Sequence, residues 1–197
     1  MARFYDLYDK PMDLLGVRTR RRRLLARAQG NTLEVGVGTG RNLSFYPQDI
    51  TLTGIDLSPG MLGIATAAAK RDRPDTTLEI GDIHHLRFDD NTFDTVTATC
   101  VFCSVADPIA GLAELRRVVR PNGQILLLEH VRPRTRILGW LFDQLTPLTR
   151  RLLGPDINRR TEQNLTVAGL TIDEVRRWSI WREIVATPLP SDAPAHV

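Results

Sequence analysis

The chain has 197 residues, 42% of them hydrophobic and 25% charged, the proportions of a folded globular domain and not of a disordered tract. Its 26 basic and 23 acidic residues leave a net charge of +3, and Lys10 and Lys70 are the only lysines, so the small arginine excess does not mark a nucleic-acid surface. No run approaches the ~20 apolar residues of a membrane-spanning helix, and the opening MARFYDLYDK lacks a secretory apolar stretch, so a cytoplasmic location is expected.

No repeat, low-complexity tract or linker divides the sequence, which reads as a single domain over residues 1–197. Residues 1–29 read as an N-terminal helical cap that contains the basic run RTRRRR at 18–23. Short apolar runs bounded by turn residues predict strands at 32–37, 51–55, 77–80, 93–99 and 123–130. Between the second and third, Ser58-Pro59 is a helix start, followed by Met61, Leu62, Ala65 and Ala69 on one face. Asp107-Pro108 starts another helix, carrying Ile109, Leu112, Leu115 and Val119, and RPNG is expected to be the turn into the fifth strand. Strand alternating with helix predicts an α/β fold with a parallel sheet covered on both faces.

Residues 132–160 break the alternation. Ile137, Trp140, Leu141, Leu145, Leu148 and Leu152 recur near helical spacing, Arg134, Arg136, Arg150 and Arg151 flank them, and Pro147 divides or kinks the segment. It reads either as a lid or oligomer face, or as a basic amphipathic surface that rests on a bilayer and collects a lipid acceptor. A helix at 161–168 closed by Gly169 and two strands at 170–178 and 182–187 follow, spaced to pair antiparallel at the sheet edge.

The first strand runs into LEVGVGTG, with Gly36, Gly38 and Gly40 at alternate positions where an open parallel sheet binds its ligands. The dinucleotide pattern G-x-G-x-x-G fails here, because Arg41 stands where its third glycine would be. Asp56 and Leu57 end the second strand, placing a carboxylate where it can accept from both hydroxyls of a ribose. Asp82 and Ile83 end the third, where a carboxylate, a backbone N–H and an apolar side chain can meet the edge of an adenine. Cys100 and Cys103 form one C-x-x-C with no second pair and no spaced histidines, so no metal site is expected.

With these motifs the sequence resembles the class I S-adenosylmethionine-dependent methyltransferases. LEVGVGTG, GIDLSPGML, GDIHHLRFDDNTFDTV and AELRRVVRPNGQILLLEH are similar to successive motifs of that family, over roughly residues 30–130. The resemblance implies a Rossmann-like seven-stranded sheet, mostly parallel with an antiparallel C-terminal edge strand, and S-adenosyl-L-methionine as cofactor. It implies that Glu34, Gly36, Gly38 and Gly40 shape the pocket for the methionine portion, with Cys100 flanking it. Asp56 would hold the ribose, with Leu57 beside it also in the cofactor site, Met61 would pack near the adenine, and Asp82 with Ile83 would read its edge.

Methyl displacement from a sulfonium needs alignment and no metal, and a base only where the nucleophile sheds a proton. His130, closing the fifth strand in LLLEH, is the first candidate; His84 and His85 are weaker ones, in what reads as a solvated turn. Tyr5 and Tyr8, in FYDLYD, are similar to the N-terminal tyrosine motif of quinone-pathway methyltransferases, although helix packing accounts for them equally. CSV, LEHVRP and GPDINRRTEQNLTVAGL resemble a subgroup that includes phospholipid N-methyltransferases and membrane-associated thiol methyltransferases. The favoured acceptor is therefore a phosphatidylethanolamine-type amine, with a thiol or a quinone-precursor ring carbon as alternatives and peripheral membrane contact as a corollary. A non-catalytic cofactor- or RNA-binding module is the competing class, although CVFC replaces the tetrapeptide of base-amino methylation.

Overall fold

The computed structural model of the chain describes residues 16–133, 135, 137, 140, 142–146 and 158–189. Tyr5 and Tyr8, and most of the stripe between 134 and 157, lie outside the described residues.

In chain order the elements are helix α1 (Val17–Leu25), strand β1 (Asn31–Val35), a 3₁₀ turn (Leu43–Phe45), β2 (Thr51–Asp56), α2 (Pro59–Asp72), β3 (Thr77–Ile80) and β4 (Phe93–Thr99). Then come α3 (Pro108–Val118), β5 (Val119–His130), α4 (Thr161–Val167), β6 (Leu170–Trp178) and β7 (Trp181–Pro188). The seven strands form one sheet in the order β3-β2-β1-β4-β5-β7-β6. β1 through β5 run parallel, and β7 lies antiparallel to both β5 and β6. The C-terminal hairpin closes that side of the sheet as expected; β7 is its antiparallel member, inserted beside β5, and β6 forms the edge. Successive strands step one way from β1 to β3 and the other way from β1 to β5, so the topological switch point falls between β1 and β4.

The chain enters both central helices as its sequence directs. Ser58 caps α2 by accepting from the Met61 N–H at 3.4 Å, with Pro59 in the first turn. Asp107 caps α3 by accepting from the N–H groups of Ile109 and Ala110, each at 3.0 Å. Leu112, Leu115 and Val118 of α3, with Leu165 of α4, pack on Leu33, Val35, Val96, Ile125 and Leu127 on one face of the sheet. Leu24 and Leu25 of α1, with Leu62 and Ala65 of α2, pack on Leu52, Leu126 and Leu128 on the other. Alternate residues of β5 thus serve opposite cores, which is why the central strands read as continuous apolar runs.

One local expectation changes, and one crossing is shorter than a helix. RPNG does not precede the fifth strand as a free turn: β5 begins at Val119, paired with Phe93, and resumes at Gln124, paired with Thr95, so the extra residues bulge within one strand. A full helix is also absent between β1 and β2, where one 3₁₀ turn makes the crossing.

Candidate functional site

The carboxyl ends of β1, β2, β3 and β4 converge, and the loop after β1 is the centre of the arrangement. Gly36, Gly38 and Gly40 all have positive φ, at 66°, 57° and 80°. Their surroundings differ. A Cβ on Gly36 would lie 2.5 Å from Val101 Cγ2, so this glycine lets the loop after β4 close on β1. A Cβ on Gly40 would lie 3.2 Å from Ala65 Cα and Ala68 Cβ, so this one lets α2 approach. A Cβ on Gly38 would meet nothing nearer than the Gly36 carbonyl at 3.9 Å, which leaves open space above the strand ends for a ligand.

Asp56 fastens this loop to β2. Its Oδ2 accepts from the Gly38 N–H at 2.9 Å and its Oδ1 from the Ser58 N–H at 2.8 Å. Each oxygen keeps a lone pair, so the carboxylate can still accept from vicinal hydroxyls. Leu57 beside it is 68% exposed, and Met61, one turn into α2, is half-buried.

Glu34 answers a puzzle of the first strand: a carboxylate within an apolar run. It is buried, and its Oε1 accepts from Asn42 Nδ2 at 2.6 Å; the same amide donates to Thr99 Oγ1 at 2.8 Å. Burial pushes the Glu34 carboxyl up to about 7, opposed by the Asn42 amide, the Tyr46 hydroxyl and the Arg21 charge. Glu34 therefore acts on the site through Asn42, which pins the glycine loop to the end of β4. Tyr46 adds a second tie, its hydroxyl lying 2.6 Å from Thr97 Oγ1.

At β3, Asp82 Oδ1 accepts from the His84 N–H at 2.9 Å and from His84 Nδ1 at 2.8 Å. These bonds hold the Asp82 carboxyl below its ordinary range. His84 Nε2 accepts in turn from the Asp107 N–H at 3.4 Å, so its ring joins the β3 loop to α3. The segment expected to be a solvated turn is thus a bonded bracket. The Ile83 side chain packs toward α3, within 3.5 Å of the position a Gly111 Cβ would take, and its backbone remains at the strand end.

Beyond β4, Cys100 is half-buried with φ of 58°, and its N–H donates to Leu128 O at 2.9 Å. Cys103 is buried, its Sγ donating to Cys100 O at 3.3 Å, and burial raises its thiol far above the ordinary range. His130 ends β5 on the face that carries Leu126 and Leu128, its ring edge-to-face with Trp181 at 5.9 Å. Burial lowers the His130 pKa, which favours the neutral imidazole.

Gly36, Gly38, Asp56 and Cys100 are thus brought together around the switch point, with Asp82 and Ile83 on the next strand. Gly40 belongs to the helix packing beside them. Reading the sequence missed Asn42, Tyr46 and Glu129. Glu129 is fully buried, and its Oε1 accepts from the N–H groups of Val101 at 2.8 Å and Phe102 at 3.1 Å. Its signal in the sequence is a carboxylate within the apolar LLLEH, as Glu34 is within the apolar first strand.

The basic run at 18–23 is solvated at Arg18, Arg22 and Arg23 and folded back onto the protein at Arg20 and Arg21. The Arg23 fork bonds Glu183 through Nε at 3.1 Å and Nη2 at 2.6 Å, while Arg20 stacks on Trp178 at 3.8 Å. Arg21 is buried beside Glu34. Two members of the run, Arg20 and Arg23, thus tie α1 to β6 and β7.

A family model described as a methyltransferase domain matches residues 33–127. A demethylmenaquinone methyltransferase from Renibacterium salmoninarum is 33% identical over 179 residues, covering 87% of this chain and 72% of the relative. A phosphatidylethanolamine N-methyltransferase from Cereibacter sphaeroides is 38% identical over 103 residues, 51% of each chain. The chain spans 59% of a ubiquinone/menaquinone biosynthesis C-methyltransferase from Citrifermentans bemidjiense, at 32% identity. Among solved structures, a SAM-dependent methyltransferase from Methanosarcina mazei superposes with a TM-score of 0.64 at 21% identity, covering 81% of this chain and 92% of that one. The [4+2]-cyclase SpnF reaches 0.71 at 18% identity, over 88% and 80% of the two chains, so the fold alone does not fix the chemistry.

Proposed function

The chain belongs to the class I S-adenosylmethionine-dependent methyltransferases, and from that membership we propose that it methylates a small apolar or amphipathic acceptor brought to the carboxyl ends of β1 and β4. The observation that carries this reading is the Gly38–Asp56 pair: a backbone N–H fixed at 2.9 Å to a carboxylate, under space that any Cβ on Gly38 would intrude upon. A nucleoside with an amino-acid tail fits that cradle, and a pyrophosphate would lie against the carboxylate.

When bound, S-adenosylmethionine supplies a methyl group on a sulfonium, which displacement by the acceptor turns into a neutral thioether. The protein's work is to hold and align. Asp56 would accept from the ribose hydroxyls, Asp82 from the adenine amino group, and Ile83 would present its N–H to the ring. Met61 would pack on the adenine, and Gly36, Gly38 and Cys100 would line the methionine portion. His130, at the end of β5, would take the proton that an amine or an activated ring carbon sheds as the new bond forms. Tyr5 lies outside the described residues; by its likeness to the quinone-pathway motif it would close over the cofactor.

Two acceptors share this chemistry. A phosphatidylethanolamine-type amine is supported by the 38% identity to the phospholipid enzyme and by exposed apolar side chains beyond β5, where Ile137 is 80% and Trp140 61% exposed. A quinone-precursor ring carbon is supported as well by the longer match, 87% of the chain, to the demethylmenaquinone enzyme. No helix among the described residues is long and apolar enough to cross a membrane. Incubating the protein with methyl-labelled cofactor and, in parallel, phosphatidylethanolamine vesicles, a demethylated quinone in detergent and a small thiol is expected to label one of the first two. Label confined to the thiol would remove the amphiphile assignment. Tight cofactor binding with no labelled acceptor would favour the non-catalytic alternative.

A further inference from the structure

The loop after β4, residues 100–103, carries more constraint than its position at a strand end requires. Cys100 has φ of 58°, a region that a side chain with a Cβ enters at a cost of roughly 1–2 kcal/mol. Its N–H is committed to Leu128 O at 2.9 Å. The next residue, Val101, is seated where the Cβ missing from Gly36 would be, 2.5 Å from that position. One carboxylate oxygen, Glu129 Oε1, collects the next two N–H groups, Val101 at 2.8 Å and Phe102 at 3.1 Å. Glu129 is fully buried; its second oxygen makes no hydrogen bond of ordinary geometry among the described residues, and the Cys103 N–H also helps hold its charge. The Arg159 charge faces it, with that guanidinium donating to Val105 O at 2.6 Å from the far side of the same loop.

A buried carboxylate kept at such desolvation cost, and aimed at two consecutive backbone donors, needs a reason beyond satisfying those donors. We infer that Glu129 is a positioning residue for the cofactor cleft: it holds Val101 against Gly36 and Cys100 in its left-handed conformation, and so sets the wall on which the glycine loop rests. This rests on the reading of residues 36–40 and 100 as a cofactor site. Glu129 touches neither cofactor nor acceptor; it acts through Val101. The chain of contact runs from the Glu129 carboxylate to the Val101 backbone, from the Val101 side chain to Gly36, and from there to Gly38 and Asp56.

Two substitutions separate this role from mere packing. Glu129→Gln keeps an acceptor oxygen in place and removes the charge; Glu129→Asp keeps the charge and withdraws it by one methylene. S-adenosylhomocysteine affinity is measured by calorimetry, and amide hydrogen exchange is followed at Val101 and Phe102. The expected result is affinity within about threefold of wild type for the Gln variant. For the Asp variant the expected loss is about tenfold or more, from a missing buried hydrogen bond, with faster exchange at those two amides and unchanged exchange in β1 and β5. Wild-type affinity in the Asp variant, or equal losses in both, would overturn the inference. If the wild-type protein fails to bind S-adenosylhomocysteine, the cofactor reading itself falls. In that event the exchange at Val101 and Phe102 still decides whether Glu129 fixes the loop.

Discussion

Asp56 shows how one side chain can be structural and chemical at once. Its two oxygens already accept from Gly38 and Ser58, so the carboxylate is oriented before any ligand arrives and little reorganisation is left to do on binding. Asp56→Ala removes both the anchor and the acceptor of the ribose hydroxyls. A hydrogen bond to a charged group is worth about 1.5–3 kcal/mol, so the expected outcome is a roughly 10- to 100-fold weaker S-adenosylhomocysteine affinity by calorimetry. Asp56→Asn should lose less, because its carbonyl still accepts. Gly38→Val tests the open space directly: the backbone there has φ of 57° and a side chain would occupy the ligand's place. Its affinity should fall by at least as much as that of Asp56→Ala. Asp56 was legible in the sequence because its place at a strand end and its distance from Gly36 are both chain-local. Asn42 was not, because its worth lies in joining Glu34 to Thr99, and that pairing exists only once β1 and β4 are neighbours.

The same division governs the elements. β3 and β4 have the spans that their apolar runs predict, and the caps of α2 and α3 are those read from Ser58-Pro59 and Asp107-Pro108. These are signals carried within a few residues. The bulge at RPNG depended on pairing with β4, and the role of RTRRRR depended on partners up to 160 residues away, so neither could be read locally. The contact of α1 with the hairpin is accordingly a place where composition misleads. Glu183 is buried while its partner Arg23 is about half-exposed, so the pair is worth less than a fully desolvated one but more than a surface pair. Glu183→Ala leaves Arg20 and Arg23 without their carboxylate and should destabilise the fold by about 1–3 kcal/mol, lowering the thermal midpoint by about 2–4 °C for each kcal/mol at this chain length. Substituting Arg22, which is exposed and makes no side-chain bond to Glu183, should shift the midpoint far less in the same melt.

For the molecule as a whole, Glu34 and Glu129 lie near the ends of β1 and β5, on either side of β4, as two buried acids, and burial lifts both from 4.5 to about 7. A carboxyl whose folded pKa exceeds its unfolded one binds more protons when folded between those two values. Stability therefore falls as pH rises through that window and is fully retained below the unfolded pKa. The ceiling is about 3 kcal/mol per group, with relaxation and water penetration reducing what is observed. Carboxylates held low by arginine or backbone donors, such as Glu114 and Asp94, act with the opposite sign, their contribution present above the ordinary carboxylate range and lost below it. The two sets cross near the ordinary carboxylate pKa, which predicts a stability maximum near about pH 5 and a decline toward about pH 8. Urea unfolding across that range should show it, and replacing both glutamates by glutamine should flatten the decline while leaving the acid limb in place. A decline that persists unchanged in the double variant would assign it to other groups. The two acids would then be charged across the neutral range, sustained by Arg21 beside one and Arg159 beside the other.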